Sequence, residues 1–513
     1  MDVHLYVVQR YENGDSFHIF TAQMKNVLVI YLLLISAFSH AENWQVDWYG
    51  SARMAGSSGQ YMPFWARTGE DGILPVASSG LVTAGADAFY KAGKDFSFGA
   101  GLNLAGAAAQ KSPVNSSSVY GLIDRMYVSG SWRMLHLDAG LKPRERSLSD
   151  LSVSGGNVVY SRNTRNMPGV NAWSDWIYFE KGHLVGIKGN IAHYQTVDNR
   201  YVKGAMIHNK ALHLKVALGR SVDLSLGFEH WAQWGGDSPL YGKQPLSFMD
   251  YVRIFLAGKG GEDASLSDRV NVLGNHLGKE CIRVDWRHSD FTMTFQYDKP
   301  FEDGSGMKFR NAPDGIWSLQ FLFNDRDALV TDLIFEYIHT TWQTGPYHDR
   351  PATEEEMKGQ DPDDFYYGKI VLGGCDTYFS NGEYKSGWTY HNRIIGLPLI
   401  LPGMPGQDGV TMGVVSTRLR GCHLGLRGFV NGKIPYSFKA TYTSNLGNYH
   451  QGDASFFATI PWQLSLALEA GIGSKIWKLP LDLTLGLYGD VGELYQDSIG
   501  LTLKIDYRGF ARF

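Results

Sequence analysis

The chain has 513 residues, with 13% aromatic and 19% charged residues, 60 glycines and a formal net charge of −4 at pH 7. A charge so near zero excludes the basic field that nucleic-acid binding needs. Such a length ordinarily divides into several soluble domains, yet no Pro/Ser-rich linker, composition shift or low-complexity segment divides this one, and a single large sheet accounts for it better.

The first readable element starts at Met24, where Lys25, an apolar run from Val27 to Phe38 and the small-residue stretch Ser39-His40-Ala41 spell a secretory signal peptide. About twelve apolar residues fall short of the roughly twenty that a helical membrane span requires, so cleavage is expected instead of anchoring. Residues 1–23 hold Arg10, Glu12 and Asp15 without an apolar run and read as a mis-assigned N-terminal extension. The mature chain would open at Glu42; losing residues 1–41 removes two basic and three acidic residues and leaves −3.

From residue 42 to 513 the pattern is alternation of apolar and polar side chains, which places one kind on each face of a strand. Phe96, Phe98, Ala100, Leu102 and Leu104 share one parity, as do Val222 to Phe228, Trp462 to Leu468 and Leu481 to Leu487. The last fifteen residues carry it furthest: Ile499, Leu501, Leu503, Ile505, Tyr507, Gly509, Ala511 and the terminal Phe513 fall on one side, with Phe510 the apolar exception on the other. Runs of about ten residues, apolar outward and polar inward and ending on an aromatic residue, predict an all-β fold, a transmembrane antiparallel up-and-down β-barrel of about 18 strands, with roughly eighteen to twenty crossings. Connections should alternate short with long. Short ones include Ala92-Gly93-Lys94, Lys181-Gly182, Gly219-Arg220, Ser380-Asn381-Gly382 and Asn431-Gly432-Lys433, whose Gly and Asn suit tight hairpins. Long ones fall near 143–170, 234–277, 342–365 and 392–415. With the carboxy terminus periplasmic, every short turn is periplasmic and every long loop external. Residues 55–81, with Pro63-Phe64-Trp65 and many glycines, fit no strand and are expected to form an N-terminal plug or a small periplasmic helical element.

The odd cysteines Cys281, Cys375 and Cys422 are far apart and predict neither a disulfide framework nor a metal site. No cofactor is expected. Enzymatic motifs are lacking: there is no G-x-S-x-G elbow or Walker loop, and neither His339, His348 and Asp349 nor His276 with Cys281 meets a nucleophile or a three-ligand pattern. A Ser and a His on adjacent strands would leave no linear motif, but the expectation is that the chain is not an enzyme.

Several segments carry a family resemblance. Asn163-Thr164-Arg165-Asn166-Met167-Pro168-Gly169, His230-Trp231-Ala232-Gln233-Trp234-Gly235-Gly236, Gly274-Asn275-His276-Leu277-Gly278, Glu336-Tyr337-Ile338-His339-Thr340 with Gln343-Thr344-Gly345-Pro346, and Ser386-Gly387-Trp388-Thr389-Tyr390 resemble the Wzi family of capsule-assembly proteins, in order and from about residue 50 to the end. The resemblance implies an outer-membrane barrel that holds capsular polysaccharide at the cell surface as a lectin. It also implies a small periplasmic helical bundle, which no segment here identifies.

The loops hold some of the chemistry such a site needs, because sugar C–H faces pack on aromatic planes and Arg meets carboxylates with a planar fork. Candidate polysaccharide contacts are Arg144, Arg162 and Arg165, Trp231 and Trp234 beside Tyr241, and Trp342 with Tyr347; Arg146 lies in the same loop as the arginines. The competing readings are an interfacial aromatic girdle for the tryptophans and pairing with lipopolysaccharide phosphates or nearby acids for the arginines. The acid-rich stretch from Asp349 to Asp364 follows no calcium-loop spacing and reads as a solvated loop. Expected partners are capsular or extracellular polysaccharide, outer-membrane lipid and lipopolysaccharide, and the outer-membrane insertion machinery. The alternative function is a porin or channel for small solutes, which requires an open lumen.

Overall fold

The computed structural model describes residues 43–513 except 112–117, 263, 266–267, 270–271, 303, 310, 344–349, 359–369, 372–376 and 449–458. The signal-peptide reading, Cys375 and Tyr347 therefore lie outside the described residues.

Alternating side chains produce a closed antiparallel barrel of 18 strands. In chain order they are β1 (Trp44–Ser57), β2 (Ser79–Ala92), β3 (Phe96–Ala109), β4 (Val119–Trp132), β5 (Leu135–Leu141), β6 (Pro168–Ser174, continued by Ile177–Tyr178), β7 (Val185–Gln195), β8 (Met206–Leu218) and β9 (Val222–Trp234). The second half comprises β10 (Asn275–Arg287), β11 (Phe291–Phe301), β12 (Gly315–Phe323), β13 (Asp332–His339), β14 (Arg418–Val430), β15 (Ile434–Gly447), β16 (Trp462–Ile472), β17 (Leu481–Gly492) and β18 (Ser498–Arg512). Each strand pairs with its neighbours, and β1 closes on β18 from Gln45↔Arg512 to Ser57↔Gly500. The apolar parities point outward: Leu485, Leu487, Ile499 and Leu501 are all exposed, whereas the inward Thr502 and Asp490 are buried. A closed barrel wearing an apolar belt has no unpaired edge to leave in lipid, and this chain is an outer-membrane barrel of the Gram-negative type.

Short connections gather at one rim, where Gly93, Gly219 and Asn431-Gly432 adopt positive φ. Long loops gather at the other. The assignment of rims as periplasmic and external follows from that asymmetry. Two expectations need correction. Ser380-Asn381-Gly382 is no strand turn, because Asn381 Oδ1 accepts from the backbone N–H groups of Glu383 and Tyr384 at 2.9 Å each, a local side-chain turn. The strands on either side, β13 and β14, pair directly with each other, so 342–365 and 392–415 fall in one external connection, 340–417, and no extra wall strand is found between them among the described residues. Residues 55–57 and 79–81 are strand, and the remaining 58–78 form the first external loop, bent inward, with a four-residue helical turn at Phe64–Arg67. It links β1 to β2 and reaches into the lumen from the external side, whereas the expectation allowed a periplasmic element.

Three external loops, 58–78, 142–167 and the latter part of 340–417, fold into the lumen and build an apolar core there. Trp388, Ile395 and Leu397 are fully buried against Val158 and Val159 and against the inward-facing Trp231 and Ile207. Polar wall residues hold these loops in register. Glu336 accepts from Ser152 Oγ (2.8 Å), Ser154 Oγ (2.6 Å) and the Val153 amide (2.7 Å). Phe64 N donates to Asp490 (2.8 Å), and Trp65 Nε1 to Thr441 Oγ1 (3.1 Å). Buried polar groups are tolerated where each finds such a partner.

One helix of note, α1 (Phe248–Leu256), lies in the loop between β9 and β10. Ser247 caps it reciprocally: its hydroxyl accepts from the Asp250 amide, and Asp250 accepts from the Ser247 amide. Its Ile254 and Tyr251 pack on Ala232 and Trp234 of the outer wall.

Candidate functional site

The inward loops leave separate cavities. On the external side is a vestibule of about 840 Å³ lined by Tyr61, Arg67, Tyr120, Arg165, Arg393 and Tyr495 among others. Its floor is a junction of three loops. Gly72 has φ 64°, and a Cβ there would stand 2.8 Å from Arg165 N, so loops 58–78 and 142–167 meet backbone to backbone. Loop 340–417 joins them through Asn163 Nδ2 donating to Ile394 O (3.0 Å) and Ser161 Oγ to Gly396 O (2.6 Å).

Three arginines converge on this floor. Arg393 donates to the carbonyls of Arg67 (2.7 Å) and Leu74 (2.6 Å). Arg67 lies 5.0 Å over the Tyr495 ring, and its buried Nε has no hydrogen-bond partner. None of Arg67, Arg165 and Arg393 forms an ion pair among the described residues. Burial, then the Arg67 and Arg165 charges, push the Arg393 guanidinium down to about 10. Burial and the charges of Arg165, Arg200 and Arg393 push the neighbouring His391 down to about 3. The floor therefore gathers three guanidinium groups, one with an unused donor, against a single lining acid, Asp490, and an anion would relieve this excess of positive charge.

Deeper in the lumen a cavity of about 410 Å³ is lined by Arg144, Tyr160, Tyr194, Glu229 and Lys279. Arg144 lies 5.2 Å from the Tyr160 ring and 4.8 Å from the Trp231 ring, with Glu229 at 3.6 Å. Tyr160 and Trp231 stack at 5.0 Å and 4°, and Trp231 Nε1 donates to Glu229 at 3.0 Å. On the periplasmic side a third cavity, about 840 Å³, is bounded by Asp71 and Arg162. There Arg162 grips Asp71 with two hydrogen bonds, and Arg125 stands 3.5 Å from the same carboxylate. Burial opposes charge on Arg162, but the Asp71 carboxylate outweighs it and holds the guanidinium above its ordinary value.

The expected contacts thus scatter. Arg165 lines the vestibule, Arg144 and Trp231 meet inside the lumen, and Arg162 is committed to Asp71. Trp231 and Trp234 end the same strand on opposite faces: Trp231 points inward, fully buried, and Trp234 outward, buried under α1. Neither is a bare girdle residue. Tyr241 is exposed on the external loop and Trp342 partly so, its amide donating to Asp314 at 3.0 Å. The vestibule residues Arg67 and Arg393 had no local signal, since only folding of three loops joins them. The chain Asp314–His339–Thr341, with contacts of 2.8 and 3.1 Å, has the order of a hydrolase triad, but the hydroxyl-bearing residue is fully buried.

No family model and no curated protein matches the chain. Among solved structures it is similar to Wzi of Escherichia coli, an outer-membrane protein involved in group 1 capsule assembly and a carbohydrate-binding β-barrel, with 14% identity, 91% of this chain and 84% of that one covered, and a TM-score of 0.48. It is likewise similar to the outer-membrane protein OpdK of Pseudomonas aeruginosa (9% identity, 91% and 99% covered, TM-score 0.46) and to OccAB2 of Acinetobacter baumannii (10%, 92% and 98%, 0.46). At such identity and overlap the likeness is one of barrel architecture.

Proposed function

We propose that this outer-membrane barrel binds capsular or extracellular polysaccharide in its external vestibule and attaches it to the cell surface, as a lectin-like part of capsule assembly. The observation that carries this reading is the arginine group Arg67, Arg165 and Arg393, which forms no ion pair within 4.0 Å among the described residues and is set among Tyr61, Tyr120 and Tyr495. Guanidinium forks suit the carboxylates of acidic sugars, and the tyrosine planes suit their C–H faces. The apolar loop core across the lumen favours holding a polymer over passing solutes. Arg144, Arg162 and Trp231 then support the loops from behind, while Tyr241 and Trp342 stand at the rim as further contacts.

The test is to delete the gene in an encapsulated parent and measure how polysaccharide divides between cells and medium. Normal synthesis with shedding, restored by the wild-type gene but not by R165A or R393A, is the expected result. Unchanged cell-bound polysaccharide would overturn it. Steady open currents in a planar bilayer would favour the channel alternative, which needs the Asp71–Arg162 contact and the loop core to stand aside.

A further inference from the structure

We infer that α1 is an interfacial anchor whose outer stripe is buried in the external leaflet, at the boundary between acyl chains and headgroups of the membrane lipid. The helix has two apolar sides. One, through Tyr251 and Ile254, is used against the barrel wall. The other, about 100° of arc holding Phe248, Met249, Val252 and Leu256, points away from the wall, with Phe248 80% and Leu256 69% exposed. Large side chains left this bare in a contiguous stripe mark an interaction surface.

Its place in the fold selects the occupant. On β8 and β9 the lipid belt ends outward at Leu212 and Phe228; the next outward-facing residues, Lys210 and His230, are where the helix region begins. Lys210 is hydrogen-bonded to the Phe255 carbonyl at the helix end, and its ammonium lies 4.3 Å over the Phe255 ring. Tyr251 OH contacts His208 at 3.5 Å. The helix is therefore fixed against the wall directly above the belt, and its bare stripe continues the lipid-facing surface upward. An amphipathic helix at that level, apolar side outward, meets the leaflet boundary.

The test is photo-crosslinking of full-length protein with p-benzoylphenylalanine in place of Phe248 or Leu256, in vesicles of phosphatidylethanolamine and lipopolysaccharide and in intact cells. Leu226 serves as the belt control, Val82 replacing it if that variant does not fold, and Gln407 as the external control. Folding of each variant is verified by heat-dependent gel mobility. The expected result is lipid adducts at 248 and 256 in yield comparable to the belt position, and their loss at 407. Lipid adducts at the belt position without any at 248 and 256 would overturn the inference. So would protein adducts replacing lipid adducts at these positions in cells.

Discussion

Two stretches of the barrel wall treat their outward faces differently. From β16 through β18 and on to β3 the outward residues stay apolar or small up to the external strand ends, as with Val491, Ile499, Met54 and Val82. From β8 to β11 the outward face turns polar in its external part, at His208, Lys210, His230, His276, Glu280 and Lys299, and the chain itself covers it. Helix α1 lies over the histidines, and the loop after β11 closes on Lys299, which donates to Glu280 (2.7 Å) and to Gly306 O (2.6 Å). Where lipid covers the wall, apolar side chains suffice. Where the wall carries polar side chains, protein loops must satisfy them.

The comparison is most exposed to failure at Lys299. K299M leaves Glu280 unpaired beneath its loop and should cost about 3–5 kcal/mol in denaturant unfolding from detergent micelles. A cost below about 1 kcal/mol would mean that water already reaches the pair and that the cover is loose. On the bare side, L485R puts a charge near the middle of β17 and should cost about 2–4 kcal/mol if that face is in lipid. Next comes the cap: S247A should loosen α1 by about 1 kcal/mol, read as roughly fivefold faster hydrogen exchange over its amides with global stability unchanged.

The smallest effect concerns the join between the two longest external loops. Burial and the nearby Asp268 carboxylate push Glu383 up to about 7, and Ser265 Oγ donates to it at 3.1 Å. The folded protein then holds a proton that the unfolded chain releases, so this contribution is complete below the ordinary glutamate value and is lost as pH rises through about 7. Protection of segment 235–274 from protease should be greater at about pH 5.5 than at about pH 8.5, and E383Q should flatten the difference. A profile unaffected by E383Q would remove Glu383 from this contact.

What was legible in the sequence follows the same division. The stretches facing lipid over their whole length, above all 499–513, obey a period of two with Phe510 as the exception, and their register and face were readable. Inside loop 340–417 the apolar residues Tyr378, Phe379, Trp388 and Ile394 answer to a core shared with other loops, and Ser380-Asn381-Gly382 beside them imitated the turn of a wall hairpin. The cap of α1 was written in Ser247-Phe248-Met249-Asp250 and the apolar run after it, a local signal that the strand pattern overshadowed. For the site, Arg165 was visible by type, but the grouping with Arg67 and Arg393 depends on contacts between residues over 200 positions apart, such as Asn163 with Ile394. Chemistry assembled at that range leaves no spacing to read.

The seam between β1 and β18 has a kinetic consequence. It joins positions as remote as Trp48 and Tyr507, 459 residues apart, so its closure waits on the search of nearly the whole polypeptide. The other wall contacts join strands consecutive in the chain, and those across the short periplasmic turns are hairpins between near neighbours that can form early. Until the seam shuts, two strands offer unpaired amides and carbonyls to the membrane interior, a state that hydrocarbon penalises heavily. Zippering of the hairpins should therefore run ahead of the seam, with the half-built sheet held away from lipid until its first and last strands meet.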